Sequence, residues 1–268
     1  MRITSSVMRI TLLISAAVLG VTLVPRAEAF LFADFEPPTY PATNSSGSVS
    51  INGVDGWFRY GTTPTATLTP DPAGSGNVTV LQGNQSVLVN GFFARNWGSS
   101  VAGITATQTV LSTLAKLSYQ GDFYLLSDTV IGSSPAGIEA HADGFFYLFR
   151  AGNPNVAQPT TVPFFQNHVY RLSMAIDIPN WQFTPTMEDL TVPSSFTPGT
   201  YAMFPESGQQ TVAYVQNHGG LLIGDGTVSN PGGVYDDLQV NVLQAVPEPA
   251  SLGLLGLGGL ILLRLRKR

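Results

Sequence analysis

The chain has 268 residues, no cysteine and only 11% charged residues, with 28 glycines and 19 prolines. Without thiols it can hold neither a disulfide framework nor a cysteine zinc site. The net charge is −5, but residues 30–246 carry fifteen of the seventeen acids and five of the twelve cations, about −10, so a nucleic-acid partner is excluded.

The chain opens on a basic leader, Arg2 and Arg9, followed by an apolar run over 10–24 and the small-x-small pattern Ala27-Glu28-Ala29. That order reads as a signal peptide over 1–29, helical and cleaved, with the mature protein starting near Phe30. At about 15 residues the run is short for a spanning helix.

The body, 30–245, reads as one all-β domain, large enough for a single core. Strands are predicted at 48–51, 56–60, 65–69, 77–81, 86–90, 145–150, 169–178, 211–216 and 235–243, because each is rich in Val, Thr, Phe or Tyr. Turn chemistry separates them: Asn52-Gly53, Asp55-Gly56, Gly83-Asn84, Asp225-Gly226 and Pro231-Gly232-Gly233. Over 105–126, Val110, Leu111, Leu114 and Leu117 have helical spacing, but the threonines favour strands. Prolines at 179, 185, 193, 198 and 205 predict an extended loop over 179–205.

Several short segments resemble concanavalin-A-like, laminin-G-like and carbohydrate-binding-module jelly rolls. They are Phe32-Ala33-Asp34-Phe35-Glu36 with Gly56-Trp57, the strand from Gly83 to Val89, the strand from Val169 to Asp177, and Tyr235-Asp236-Asp237-Leu238-Gln239-Val240. The resemblance implies an antiparallel β-sandwich (jelly roll) whose first and last strands lie side by side. Asp34 and Glu36, two apart on one strand, would then face Asp236 or Asp237, a candidate structural calcium site with oxygen ligands. Solvated acids on edge strands are the competing account.

Catalytic signals are sparse. Glu139, His141 and Asp143 alternate, and on a strand they would share a face with Phe145, Tyr147 and Phe149. The hydrolases of the concanavalin-like group use Glu-x-Asp-x-x-Glu; here His141 replaces the middle acid and the last glutamate is absent. No nucleophile elbow, phosphate loop or His-Glu-x-x-His helix occurs. No catalytic residue is assigned, and the chain is expected not to be an enzyme. Trp57, Trp97 and Trp181 are candidate sugar-stacking residues, with core packing as the simpler role.

The tail is the strongest motif. Val246-Pro247-Glu248-Pro249-Ala250-Ser251 leads into the Gly/Leu-rich run 252–263, and Arg264-Leu265-Arg266-Lys267-Arg268 follows. The prolines forbid a continuous helix or a paired strand at the hinge. The apolar run predicts a transmembrane helix, stretched by snorkelling arginines and oriented by the basic end toward the cytoplasm. This arrangement over 246–268 closely resembles the PEP-CTERM sorting signal of bacterial exported proteins. The resemblance implies an exosortase and the secretion machinery as partners, anchorage in the inner membrane through the tail, and Pro247, Glu248 and Pro249 as sorting-recognition residues. It also implies the cell envelope, surface or extracellular matrix of a Gram-negative bacterium, with exopolysaccharide as a further partner. The expected function is a sorted, non-enzymatic, polysaccharide-associated surface protein. The alternative is a carbohydrate-active enzyme, a glycoside hydrolase or lyase.

Overall fold

The computed structural model describes residues 27–35, 37, 39, 49–70, 81, 85–96, 108–117, 119–128, 134–151, 157–205, 208, 210–224 and 233–243. Ala27–Gln244 forms one compact unit. Both predicted terminal helices lie outside the described residues. Among the described residues no helix is long and apolar enough to cross a membrane.

The unit is all-β, 61% strand and 4% helix, with two antiparallel sheets packed as a sandwich. In chain order the strands are β1 Ala27–Ala33, β2 Val49–Ser50, β3 Trp57–Pro70, β4 Gln85–Asn96, β5 Gln108–Leu117, β6 Gly121–Leu126, β7 Ala136–Ala140 and β8 Phe145–Phe149. Then come β9 Gln158–Pro163, β10 Val169–Asp177, β11 Gln182–Asp189, β12 Ser194–Phe196 and β13 Tyr201–Ala202. A short helix, α1 Val212–His218, precedes β14 Gly220–Gly224 and β15 Gly233–Leu243.

Hydrogen bonds link the strands in the order β12-β11-β10-β5-β15-β4-β14-β6-β7-β8-β9, with β1 on β15 and β3 on β4. The ladder turns back on itself. Phe146 of β8 and Tyr170 of β10, far apart along that order, meet edge to face with ring centroids 5.1 Å apart. The Ala151 N–H likewise donates to the Ala202 carbonyl at 3.0 Å, joining the end of β8 to β13. Phe93, Phe123, Ile138, Phe146, Leu172, Met174 and Phe183 fill the space between the layers, all fully or almost fully buried.

Alternation explains most of the strands. In β10 and β11, Tyr170, Leu172, Met174, Ile176, Phe183 and Met187 point inward while their neighbours are partly exposed. In β5 the helical spacing loses to pairing, because β10 and β15 bond to its two edges along nearly its whole length. The predicted strands at 56–60 and 65–69 are parts of one strand, β3, with an irregularity between Tyr60 and Thr65. Residues 77–80 of another predicted strand lie outside the described residues. The first and last strands do lie side by side, antiparallel, with Phe30 opposite Val240. Because β1 begins at Ala27, it runs through the predicted cleavage pattern.

Two expectations are corrected. Residues 211–216 form no strand: Thr211 caps α1, its Oγ1 accepting from the Tyr214 N–H at 3.1 Å. Tyr214 and His218, four apart, stack at 4.2 Å, and Val212 and Val215 turn one apolar side to the core. The span 179–205 is not a loop but holds β11, β12 and β13. Pro185 is tolerated because, among the described residues, the outer edge of β11 is paired only at 182–183 and 187–189, so the missing N–H interrupts no outer bond there.

Candidate functional site

The outer face of the sheet containing β4, β14, β6, β7 and β8 gathers acids and aromatic rings. Directly opposed residues share a face, and the register aligns two rows across the strands. Phe92, Gly224, Asp122, Glu139 and Tyr147 form one row. Phe58, Ala94, Leu222, Tyr124, Gly137 and Phe149 form the next. The second row seeds an apolar cluster separate from the main core, which is why every residue of β6 is buried: Phe123 and Leu125 face inward, Tyr124 and Leu126 outward.

Gly137 lets this face close. A Cβ there would stand 2.1 Å from Cδ1 of the Tyr124 ring, so the ring lies flat on the β7 backbone. Thus placed, the Tyr124 hydroxyl donates to Glu139 Oε1. Burial pushes the Glu139 carboxyl above the ordinary carboxylate range; the Tyr124 bond and nearby His141 oppose the rise without cancelling it. Burial, then the charges of Asp122 and Glu139, push Tyr124 well above its usual value, so it stays a hydroxyl donor.

Asp143 differs. Tyr147 donates to its Oδ2 at 2.5 Å and holds this exposed carboxylate below the ordinary range. The same bond raises Tyr147. His141 stacks on the Tyr147 ring with centroids 4.2 Å apart. Glu139, His141 and Asp143 are not successive outward positions of one strand, as their alternation suggested. Strand β7 ends at Ala140, and residues 141–144 turn back through Gly144 at φ +87°. Tyr147, opposite Glu139 across the hairpin, gathers them instead. Tyr124 was the residue sequence reasoning missed; Tyr147 was expected on the face of Glu139, and the Asp143-Gly144 turn was the signal for the hairpin register that sets it directly opposite.

Chemically, the face offers a protonatable carboxyl, an ionised carboxylate and aromatic edges, groups that bind a polyhydroxylated ligand by hydrogen bonds and ring contact. Because folding raises the pKa of Glu139, its protonated form contributes stability that is complete below the unfolded-chain value. That contribution is lost as pH rises through the higher folded value. Glu139→Gln keeps an acceptor for Tyr124 and carries no charge. Thermal melts of the two proteins should therefore nearly coincide near pH 4, and the variant should melt higher at pH 7. A variant that melts lower at pH 7 would contradict this electrostatic account.

The other predicted residues are placed as follows. Trp57 is 1% exposed and packs against Phe35 at 5.9 Å, so it serves the core. Trp181 is partly buried, and its Nε1–H donates to the Phe204 carbonyl at 2.9 Å. Trp97, Glu36, Pro247, Glu248 and Pro249 lie outside the described residues. Asp34 is half-buried just beyond β1, while Asp236 and Asp237 are buried on β15. Asp236 Oδ2 accepts from Ser86 Oγ at 2.6 Å and its Oδ1 from the Asp237 N–H at 2.8 Å. Both oxygens of Asp237 accept from Gln239 Nε2, at 2.8 and 2.9 Å. Among the described residues, no group of three or more His, Asp or Glu side chains could hold a metal ion.

The fold is that of a β-sandwich, and the tail assigns its destination. The PEP-CTERM protein-sorting motif matches residues 245–268, so the chain carries the sorting signal of an exported protein, the kind that an exosortase recognises. No curated protein matches the chain. Among solved structures, lectin II from Ulex europaeus is 11% identical, with 81% of this chain and 97% of the lectin covered and a TM-score of 0.38. Trypanosoma rangeli sialidase in complex with 2,3-difluorosialic acid is 10% identical, with 69% and 28% covered and a TM-score of 0.42. A further sialidase is 8% identical with a TM-score of 0.38; the match takes in 76% of this chain but spans only 19% of that protein's length. The fold assignment rests on the strand pairing and core described above.

Proposed function

We propose that this protein is exported, trimmed by an exosortase at its Pro-Glu-Pro tail, and retained in the cell envelope or extracellular matrix as a non-enzymatic, polysaccharide-associated β-sandwich. The sorting motif at 245–268 is the observation that carries the reading. The acid and aromatic face around Glu139 and Tyr147 supports contact with sugars. The non-enzymatic reading rests on the sequence, where His141 stands in place of the middle acid of the hydrolase pattern and the last glutamate is absent. A calcium ion between Asp34, Glu36 and Asp236 or Asp237 remains part of the proposal for the β1–β15 junction.

The test is the mass of the mature protein. Recovered from the surface of cells containing the exosortase, the chain should lack the residues beyond the Pro-Glu-Pro hinge. In cells without that enzyme it should retain them. Intact tails in both strains would refute the processing step.

A further inference from the structure

Among the described residues the main path of the ladder ends on β9 and β12, and between them lies a cleft of about 700 Å³. Leu148 and Arg150 form one wall with β9, and Ser195, Phe196, Thr197, Pro198 and Tyr201 form the other. Open strand edges usually invite a further strand. Here that is obstructed: β9 carries Pro159 and Pro163, which have no N–H to give, and β12 has only three residues. A ligand of this cleft must therefore be held by side chains.

The side chains have a definite chemistry. The guanidinium of Arg150 sits over the Tyr201 ring, its Cζ 4.6 Å from the centroid. Tyr201 is fixed from below by Phe183, with centroids 6.1 Å apart, and its hydroxyl donates to the Pro198 carbonyl at 3.2 Å. Arg150 has no carboxylate partner among the described residues, whereas Arg95 pairs with Asp55 and Arg171 with Glu188. An unpaired guanidinium stacked on a tyrosine keeps its outer fork available for a planar anion. Phe196, 37% exposed, offers an apolar surface at the rim, and the exposed Ser195 and Thr161 add hydroxyls.

We propose that this cleft binds an acidic polysaccharide, with Arg150 taking the carboxylate of a uronic-acid unit and Phe196 covering a face of its ring. The site rests on the polysaccharide association proposed above and names the class of sugar. The body's net charge does not forbid it. At about 0.15 M salt the screening length is about 8 Å, and Glu188, opposite the cleft residue Ser195, is paired with Arg171.

The experiment measures binding of the full chain, in detergent, to polygalacturonate and to the same polymer with its carboxylates reduced to alcohols, at about 0.15 M salt. The acidic polymer should bind at least tenfold more tightly than the reduced one. Arg150→Gln should abolish that preference. Arg150→Lys, which keeps the charge and loses the fork, should retain part of it, and Arg171→Gln should leave it unchanged. Circular dichroism of each variant confirms folding. Equal binding of both polymers would overturn the acidic-sugar site while leaving polysaccharide association standing. Binding of neither would overturn both. An Arg150→Gln protein that folds and keeps the preference would remove the cleft from the account.

Discussion

Asp236→Ala should destabilise the body by about 3 kcal/mol, since it removes the acceptor of two buried hydrogen bonds at once. Asp236 is 1% exposed, and its oxygens accept from Ser86 Oγ at 2.6 Å and from the Asp237 N–H at 2.8 Å. Ser86 itself is fully buried on β4, so no water replaces the lost acceptor. The bond joins β15 to β4 beside the point where the β15–β5 register shifts, and Asp237 there adopts φ +47°. The carboxylate thus fixes a bulge that ordinary pairing would not hold. Asp236→Asn, which retains one acceptor, should cost about 1 kcal/mol, and Ser86→Ala should fall between the two. Urea unfolding of the full chain in detergent measures all three. Asp236→Ala and Asp236→Asn of equal stability would show that the hydrogen bonds are not the source. The same samples test calcium: a wild-type Tm that falls with EDTA, and an Asp236→Asn Tm that does not, would assign the ion to this junction.

Gly224→Ala should be at least as damaging, about 3 kcal/mol or more, through sterics rather than polarity. Gly224 sits at φ +155°, and a Cβ there would stand 2.1 Å from the Gly91 carbonyl oxygen and 2.9 Å from Phe92 Cα. These are backbone atoms of the neighbouring strand, so no side-chain rotation relieves the overlap. The Gly224 carbonyl also accepts from the fully buried Tyr235 hydroxyl at 2.6 Å, and that hydroxyl accepts from the Asp122 N–H at 3.0 Å. Shifting Gly224 therefore pulls on β15 and on β6 together. The expected result is loss of cooperative unfolding or a Tm lower by roughly 6–12 °C, taking about 2–4 °C per kcal/mol for a body of this size. A variant within 2 °C of wild type would show that β4 and β14 move apart freely.

The strands with strict alternation were legible. Val169–Asp177 shows its inward Tyr170, Leu172, Met174 and Ile176 in the letters alone. Strands buried on both faces were harder to delimit: 105–126 read as strand without a division into β5 and β6, because Gly121–Leu126 has no polar alternation and each of its faces meets its own apolar cluster. The stretch Thr-Val-Ala-Tyr-Val-Gln misled because β-branched residues suggest a strand, while the Thr211 cap and the stacking of Tyr214 on His218 decide for a helix. Prolines misled in the other direction, since Pro185 sits where β11 lacks an outer partner among the described residues.

The candidate sites follow the same logic. Glu139, His141 and Asp143 drew attention by spacing, but the tyrosines that set their charge states come from β6 and from across the hairpin. Strand pairing supplies that information, and no local pattern holds it. Arg150 and Tyr201 stand fifty-one positions apart and meet only because the ladder folds back on itself. The sorting tail was legible in full because its physics is local: two prolines, an apolar run and a cluster of cations, one after another.

Cell fractionation tests the central claim most directly. Cells making the full chain should carry it in the envelope or outside, and cells making a chain cut before Val246 should not retain it there. Recovery of both forms in the same fraction would contradict sorting through the tail.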